Sequence, residues 1–247
     1  AIWSSAVLGR LLPKLPRPLV YGLGLTLALG LTSTLFALLS FSHALYPAAA
    51  WIAILASCVA AAACIVSRVH AEAALFEGFS KFQFACLTAL IAFLWIGTLL
   101  PEIAYDSLVY HLSYPELYIL NHGFTHMPFS FYADFPQAVE MLYLFGLLIG
   151  DEITAKAFQF LIAIAIILVM LGVGRHWSRD HRMGLLAVAA FFSMPMMLFN
   201  VWSCESDIGA CLFAVAALVM MALWMEQGLC GYAALSGLFC GWAMGTK

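Results

Sequence analysis

The chain lacks positive charge where negative charge is densest. No lysine or arginine occurs between Lys81 and Lys156, yet that stretch holds seven carboxylates (Glu102, Asp106, Glu116, Asp134, Glu140, Asp151, Glu152) and three histidines (His111, His122, His126). Charge is scarce elsewhere too, at 9% of residues against 65% hydrophobic, with a mean hydropathy of +1.01. That balance does not describe a soluble globule and points to a polytopic membrane protein. Alternating ten-residue strands are missing, which argues against a transmembrane barrel. CxxC pairs are missing as well. The seven cysteines (Cys58, Cys64, Cys86, Cys204, Cys211, Cys230, Cys240) lie mostly inside apolar runs, as small buried hydrophobes, and imply no disulfide framework. A net charge of −3 argues against nucleic acid as a partner.

What is present is a series of long apolar runs. A helix needs about 20 residues to cross a hydrocarbon core of roughly 30 Å. Segments 17–42, 46–67, 83–101, 155–174, 183–203, 207–225 and 229–246 have that character. The expected fold is therefore all-α, a transmembrane bundle of about seven spans with an outer-face loop carrying short juxtamembrane helices. Segment 137–149 is apolar but too short to cross, and is expected to lie at the membrane surface or to re-enter it. Pro195 is expected to bend the fifth span. Gly237, Gly241 and Gly245, spaced by four, are expected to let a neighbouring helix approach closely.

Orientation follows from the cations, because short basic loops stay in the cytoplasm. Arg10, Lys14, Arg17, Arg68, Lys81, Arg175, Arg179 and Arg182 all fall on one side if 137–149 does not cross. The N-terminus is then cytoplasmic, and loop 102–154 faces the periplasm, cell exterior or a lumen together with the Glu205/Asp207 turn and Lys247. An inner or plasma membrane is the expected location. Residues 1–16, with Trp3 and two prolines, suit an interfacial stretch before the first anchor. The chain ends directly on GWAMGTK, so a longer protein continuing past residue 247 is expected.

Ionisable groups beside a bilayer are costly unless solvated, paired or used. If the run after Pro101 continues as a helix, Asp106 and Tyr110 share a face at i and i+4, with Glu102 one turn earlier. At the mouth of a span, between Tyr105 and Tyr110, Asp106 would be partly desolvated and suited to act as a base, although a solvated surface charge is the commoner fate of a single acid. Asp207 opens the sixth span, where capping alone would explain it. SYPELYILNHGF reads as a short helix closed by Gly123, followed by an aromatic loop through Asp134, with Pro136 opening the next helix. His122 and His126 have ligand spacing, but Gly123 and Pro128 interrupt any common helix, so zinc is not expected. His111 could meet a phosphate or a sugar hydroxyl.

The succession of a span, Tyr105-Asp106-Ser107-Leu108-Val109-Tyr110-His111, LYILNHGF, a loop ending in Asp134-Phe135-Pro136, an apolar helix ending in Gly150-Asp151, an Arg-rich loop and a span near Asp207 resembles the GT-C superfamily of membrane glycosyltransferases. The protein-mannosyltransferase and aminoarabinose-transferase-like group is the nearest in flavour. The terminal GLFCGWAMGTK is similar to that group's GLxxGxxxxTK helix end. The resemblance covers about 82–247, the N-terminal part of such a core, and leaves 1–81 as two additional helices with their interfacial segment.

The resemblance implies inverting transfer of a sugar from a polyprenyl-phosphate carrier to an acceptor at the outer face. Asp106 would be the general base and Asp207 a second acid shaping the site. Tyr110, His111, Asp134, Glu102 and Lys247 are the candidate substrate contacts, Lys247 toward the phosphate. Relatives often carry an acid after the first Asp, where Ser107 stands here, which weakens a paired-acid metal site. No cofactor is expected, and Mg or Mn finds no motif. The implied partners are membrane lipid, the lipid-linked sugar donor and an acceptor of unassigned chemistry. The competing readings are a non-catalytic, transferase-derived subunit packing into a larger membrane assembly, and a transporter using Asp207 and Glu140.

Overall fold

The computed structural model describes residues 8, 15–66, 76–128 and 130–247, apart from the side chains of 60–66. Trp3, Arg10, Lys14 and Arg68, used above for the interface and for orientation, lie outside the described residues. Every regular element among the described residues is helical: α1 (Arg17–Phe41), α2 (Pro47–Val66), α3 (Lys81–Thr98), α4 (Ser113–Leu120), α5 (Glu140–Ile149), α6 (Glu152–Val173), α7 (His181–Phe192), α8 (Pro195–Trp202), α9 (Asp207–Gln227) and α10 (Cys230–Met244). Wide π turns at Ser107–His111 and Gly174–Ser178 and a 3-10 turn at Phe131–Asp134 join them.

The starts of these helices are written locally. Pro18 sits in the first turn of α1, where its missing donor costs nothing. A reciprocal capping box opens α3, with Gln83 N–H donating to Ser80 Oγ at 3.2 Å and Ser80 N–H to Gln83 Oε1 at 2.9 Å. Asp151 opens α6 by accepting from Ile153 and Thr154 N–H, each at 3.1 Å, and these bonds hold its carboxyl below the usual range. That acid is explained by capping.

α6 is the axis of the bundle, touching α1, α3, α5, α7, α8 and α9. It runs antiparallel to α1, because Gly22 backs onto Val169 while Gly172 backs onto Leu19. A Cβ on Gly22 would lie 2.7 Å from Val169 N, so glycine sets that approach. Gly174 and Gly184 serve α6 against α7 in the same way. The glycines picked from sequence behave otherwise: Gly237 and Gly241 have open space where a Cβ would go, and Gly245 meets only ordinary contacts beyond its own turn. α1, from the segment read as an addition to the core, contributes Leu19 and Leu23 to the same buried cluster as α6 and α9.

Among the described residues four helices, α1, α3, α9 and the run from Glu152 to Ser178, are long and apolar enough to cross a membrane, and a fifth span results if α7 and α8 count as one. Large apolar side chains face outward on them, among them Leu218 at 69% and Met225 at 78% exposure, as suits a lipid solvent. The chain is thus an all-helical protein whose helices fit an integral membrane protein. α10, at 15 residues, spans only about 22 Å, and α5, at 10 residues, about 15 Å.

Two expectations change. The bend at Pro195 is a break: α7 ends at Phe192, Met194 takes the extended conformation that precedes proline, and α8 leaves at 79°. Segment 137–149, expected at the membrane surface or re-entering the membrane, packs within the protein and not on its outside. Its helix starts at Glu140, four residues after Pro136, and Glu140, Met141, Leu142, Tyr143, Leu144, Gly146 and Leu148 are buried against α1, α4 and α6. A ten-residue helix apolar on nearly every side is a core element.

The described charges collect at the two ends of the bundle. Arg17, Lys81, Arg175, Arg179 and Arg182 share one end, where Arg175 reaches Glu77 O and His181 Nε2 lies 3.3 Å from Gln83 Oε1. The loops carrying Glu102, Asp106, Asp134, Glu205 and Asp207 share the other, where Ser33 Oγ donates to Ala138 O at 2.6 Å and Lys156 Nζ to Leu100 O at 2.7 Å.

Candidate functional site

At the acid end, four segments far apart in sequence are tied together by side-chain hydrogen bonds. Residues 101–104 follow α3 without helical structure, so Glu102 is not one helical turn before Asp106. Glu102 is instead buried at 7% exposure, its Oε1 accepting from Ile103 and Ala104 N–H at 3.0 Å each and its Oε2 from Cys204 N–H at 2.9 Å. Both oxygens are spent joining the turn after α8 to the end of α3. Glu152 accepts from Glu102 N–H at 3.4 Å. Burial first, and then the Glu102 charge, pushes the Cys204 thiol well up, which keeps it protonated and inert.

The π turn then sorts the next residues onto two faces, closed by Leu112 N–H donating to Ser107 O at 2.9 Å. Ser107 and His111 point inward at 0% and 4% exposure, while Asp106 is exposed and Tyr110 stands beside it. The Asp106/Tyr110 pairing read at i and i+4 is present. Burial, followed by the Asp106 charge, raises the Tyr110 phenol, so it stays protonated and can donate to Asp106.

His111 is the centre of the buried face. Its Nδ1–H donates to Glu140 Oε1 at 2.6 Å, and its Nε2–H faces Glu205 Oε2 at 3.4 Å. Burial alone would lower its pKa, but the bonds to Glu140 and then Glu205 outweigh that and raise it to about 9. An imidazolium therefore sits between two carboxylates in a low-dielectric setting. Ser107 Oγ donates to Glu205 Oε1 at 3.3 Å, so the residue standing where the resembled family carries a second acid is committed inward. The backbone carbonyl of Glu205 accepts from Tyr143 of α5 and Gln159 of α6, which fixes the 203–206 turn on the bundle.

The remaining predicted residues divide. Asp207 and Lys247 form an ion pair with side chains 44% and 62% exposed, which joins the start of α9 to the end of α10. Asp134 is exposed on the 3-10 turn, away from the buried face that holds His111. Lys156, 1% exposed, spends its ammonium inside the protein on Leu100 O. His122 sits at φ +56, with Nδ1 3.0 Å from Leu45 O and its ring stacked on Tyr46, while His126 is exposed, so the pair shares no ligand geometry. Among the described residues no three His, Cys, Asp or Glu side chains come together to hold a metal ion.

Beside this cluster an aromatic groove of about 550 Å³ opens between the ends of α1, α4 and α10, lined by Phe41, Tyr118, Phe124, Phe135 and Trp242. Ala138 N–H donates to Gly245 O at 2.8 Å across its floor. The sequence pointed to Glu140 only as an ionisable group of a transporter and to Glu205 only as part of the turn before Asp207, not to either as a partner of His111. The available signal was a carboxylate in an otherwise apolar ten-residue helix, which needs a buried partner. Comparison with family models, with curated proteins and with solved structures returned no match.

Proposed function

We propose that the chain is the N-terminal part of a membrane glycosyltransferase of the GT-C type, an about seven-span bundle that moves a sugar from a polyprenyl phosphate to an acceptor at the acid end, with the arginine end in the cytoplasm. One observation carries this reading: residues 102–111 and 203–207, about a hundred positions apart, are locked to each other through Glu102, Ser107 and His111, while Asp106 stays exposed at their edge.

In this reading Asp106 takes the proton of the acceptor hydroxyl as the acceptor oxygen bonds to the sugar's anomeric carbon. The bond from that carbon to the phosphate breaks on the opposite face, and the lipid phosphate leaves with the negative charge. Tyr110 orients Asp106. Lys247, half-exposed and already paired with an acid, is free to exchange Asp207 for the departing phosphate. The aromatic groove offers ring faces to a sugar or an isoprenoid unit. A non-catalytic membrane subunit is favoured instead by the charge count: Lys156 is buried and bonded within the protein, which leaves Lys247 as the accessible cation of the acid end among the described residues.

The decisive assay uses membranes containing the full-length protein and a panel of polyprenyl-phosphate-linked sugars. Asp106→Asn should lower transfer by about 10²- to 10⁴-fold, the usual worth of a positioned base, with unchanged expression. Undiminished transfer by that variant, or no transfer from any donor by the unmodified protein, would favour the subunit reading.

A further inference from the structure

A second groove lies at the opposite end of the bundle, outside the proposed site. It occupies about 630 Å³ between α3 and α7 and is lined by Cys86, Leu87 and Leu90 on one side and by Leu185, Leu186 and Phe192 on the other. Leu87, Val188 and Phe192 form its buried floor, while Phe82 and Leu186, at 77% and 63% exposure, stand at its rim. The groove is therefore open to the surroundings of the protein rather than enclosed.

Its polarity is graded along its length. At one end Arg182 lines it, and Lys81 is the residue before its rim residue Phe82. His181 Nε2 lies 3.3 Å from Gln83 Oε1, closing α7 against α3 at that end. From there both helices run away from the arginine end, and the lining is apolar for about 10 Å of helix up to Leu90 and Phe192. Ser193, at the far end, already donates to Ala190 O at 2.8 Å and asks for no ligand.

The charges around the mouth leave Arg182 available. Arg175 is engaged over the Phe79 ring and with Glu77 O, and Glu226 is taken by His176 and Trp177. Asp180 accepts from the Arg182 backbone N–H at 2.9 Å and lies 3.8 Å from His181 Nδ1. It therefore caps α7 at the Arg182 N–H. Neither Arg182 nor Lys81 makes an ion pair among the described residues. An apolar channel open to lipid, with an unpaired guanidinium where the bilayer surface would be, matches a molecule with an anionic head and a hydrocarbon tail.

We propose that the α3/α7 groove binds an anionic glycerophospholipid, one acyl chain lying between Leu87 and Leu186 and the head-group phosphate resting on Arg182. The site is independent of the transferase reading, because it requires only that α3 and α7 lie in a membrane.

Full-length protein in detergent micelles is titrated with phosphatidylglycerol or with phosphatidylcholine of the same acyl length, and bound lipid is counted by native mass spectrometry. One phosphatidylglycerol should bind about five-fold tighter than phosphatidylcholine, the scale of one basic residue near an anionic head group. Arg182→Gln, at an exposed position, should equalise the two lipids with helicity and elution volume unchanged. Leu186→Trp, which fills the groove, should remove both. Equal binding by the unmodified protein, a preference that survives Arg182→Gln, or a dimer that Leu186→Trp dissociates without any lipid effect would each overturn the proposal.

Discussion

The two ends of the bundle carry similar kinds of charge and use them in opposite ways. At the acid end a subset of the charges is buried and joins distant parts of the chain: Glu102 to Cys204, His111 to Glu140 and Glu205, Lys156 to Leu100. At the arginine end they are exposed, and the pairs that form, such as His176 with Glu226, sit on surface side chains. A buried ion is tolerated only when its partners are held in place, so the acid end fixes the register of its loops, whereas the solvated end ties few distant parts of the chain together.

The sharpest way to break this contrast is to remove one member of the buried cluster. Glu140→Ala leaves the His111 imidazolium short of its nearest carboxylate and should cost about 3–5 kcal/mol of stability, read by denaturant unfolding of the purified protein in micelles. A double substitution of His111 and Glu140 by leucine should cost less than the sum of the single ones, since the charge and its partner leave together. Additive losses would deny the coupling.

Next in size is a pH effect confined to the acid end. His111 titrates near 9 when folded against about 6.5 when unfolded, so its charged form is favoured by folding. The stabilisation is therefore complete below about pH 6.5 and is lost as pH rises through about 9, on the order of 3 kcal/mol in all. Unfolding measured between pH 6 and 10 should show that decline, and His111→Gln should flatten it. A decline unchanged in His111→Gln would assign it to another group.

The smallest effects belong to the exposed pairs. Lys247→Ala should change stability by less than about 1 kcal/mol, since both partners are solvated. If Lys247 meets the leaving phosphate, the same variant should nonetheless depress transfer, which separates its two roles. Glu226→Gln at the other end should leave the unfolding midpoint where it is.

How far the sequence could be read depends on the range of the signal. The spans at α1, α3, α6 and α9 were legible because apolar length is a local property, and so was the Asp106/Tyr110 pairing, which needs only a helical turn. The proline at 195 was seen, but its consequence was underrated, because whether a chain bends or breaks there depends on what packs beyond it. Here α8 turns across the end of α3 and sets Trp202 in the space a side chain on Gly97 would need. The glycines of α10 were read as packing because of their spacing, yet the close approaches fall at Gly22, Gly172, Gly174 and Gly184, where partners exist.

The sequence by itself determined that this is an apolar, all-helical chain with its arginines gathered in a few short segments and a long acid-rich stretch free of cations, because hydropathy and charge are written residue by residue. Only the tertiary structure decided that segment 137–149 is a core helix, that Glu102 is consumed by backbone donors while Asp106 is not, and that residues 111, 140 and 205 form one buried cluster. Those outcomes rest on the cost of burying charge away from water, and that cost is known only once the neighbours are in place.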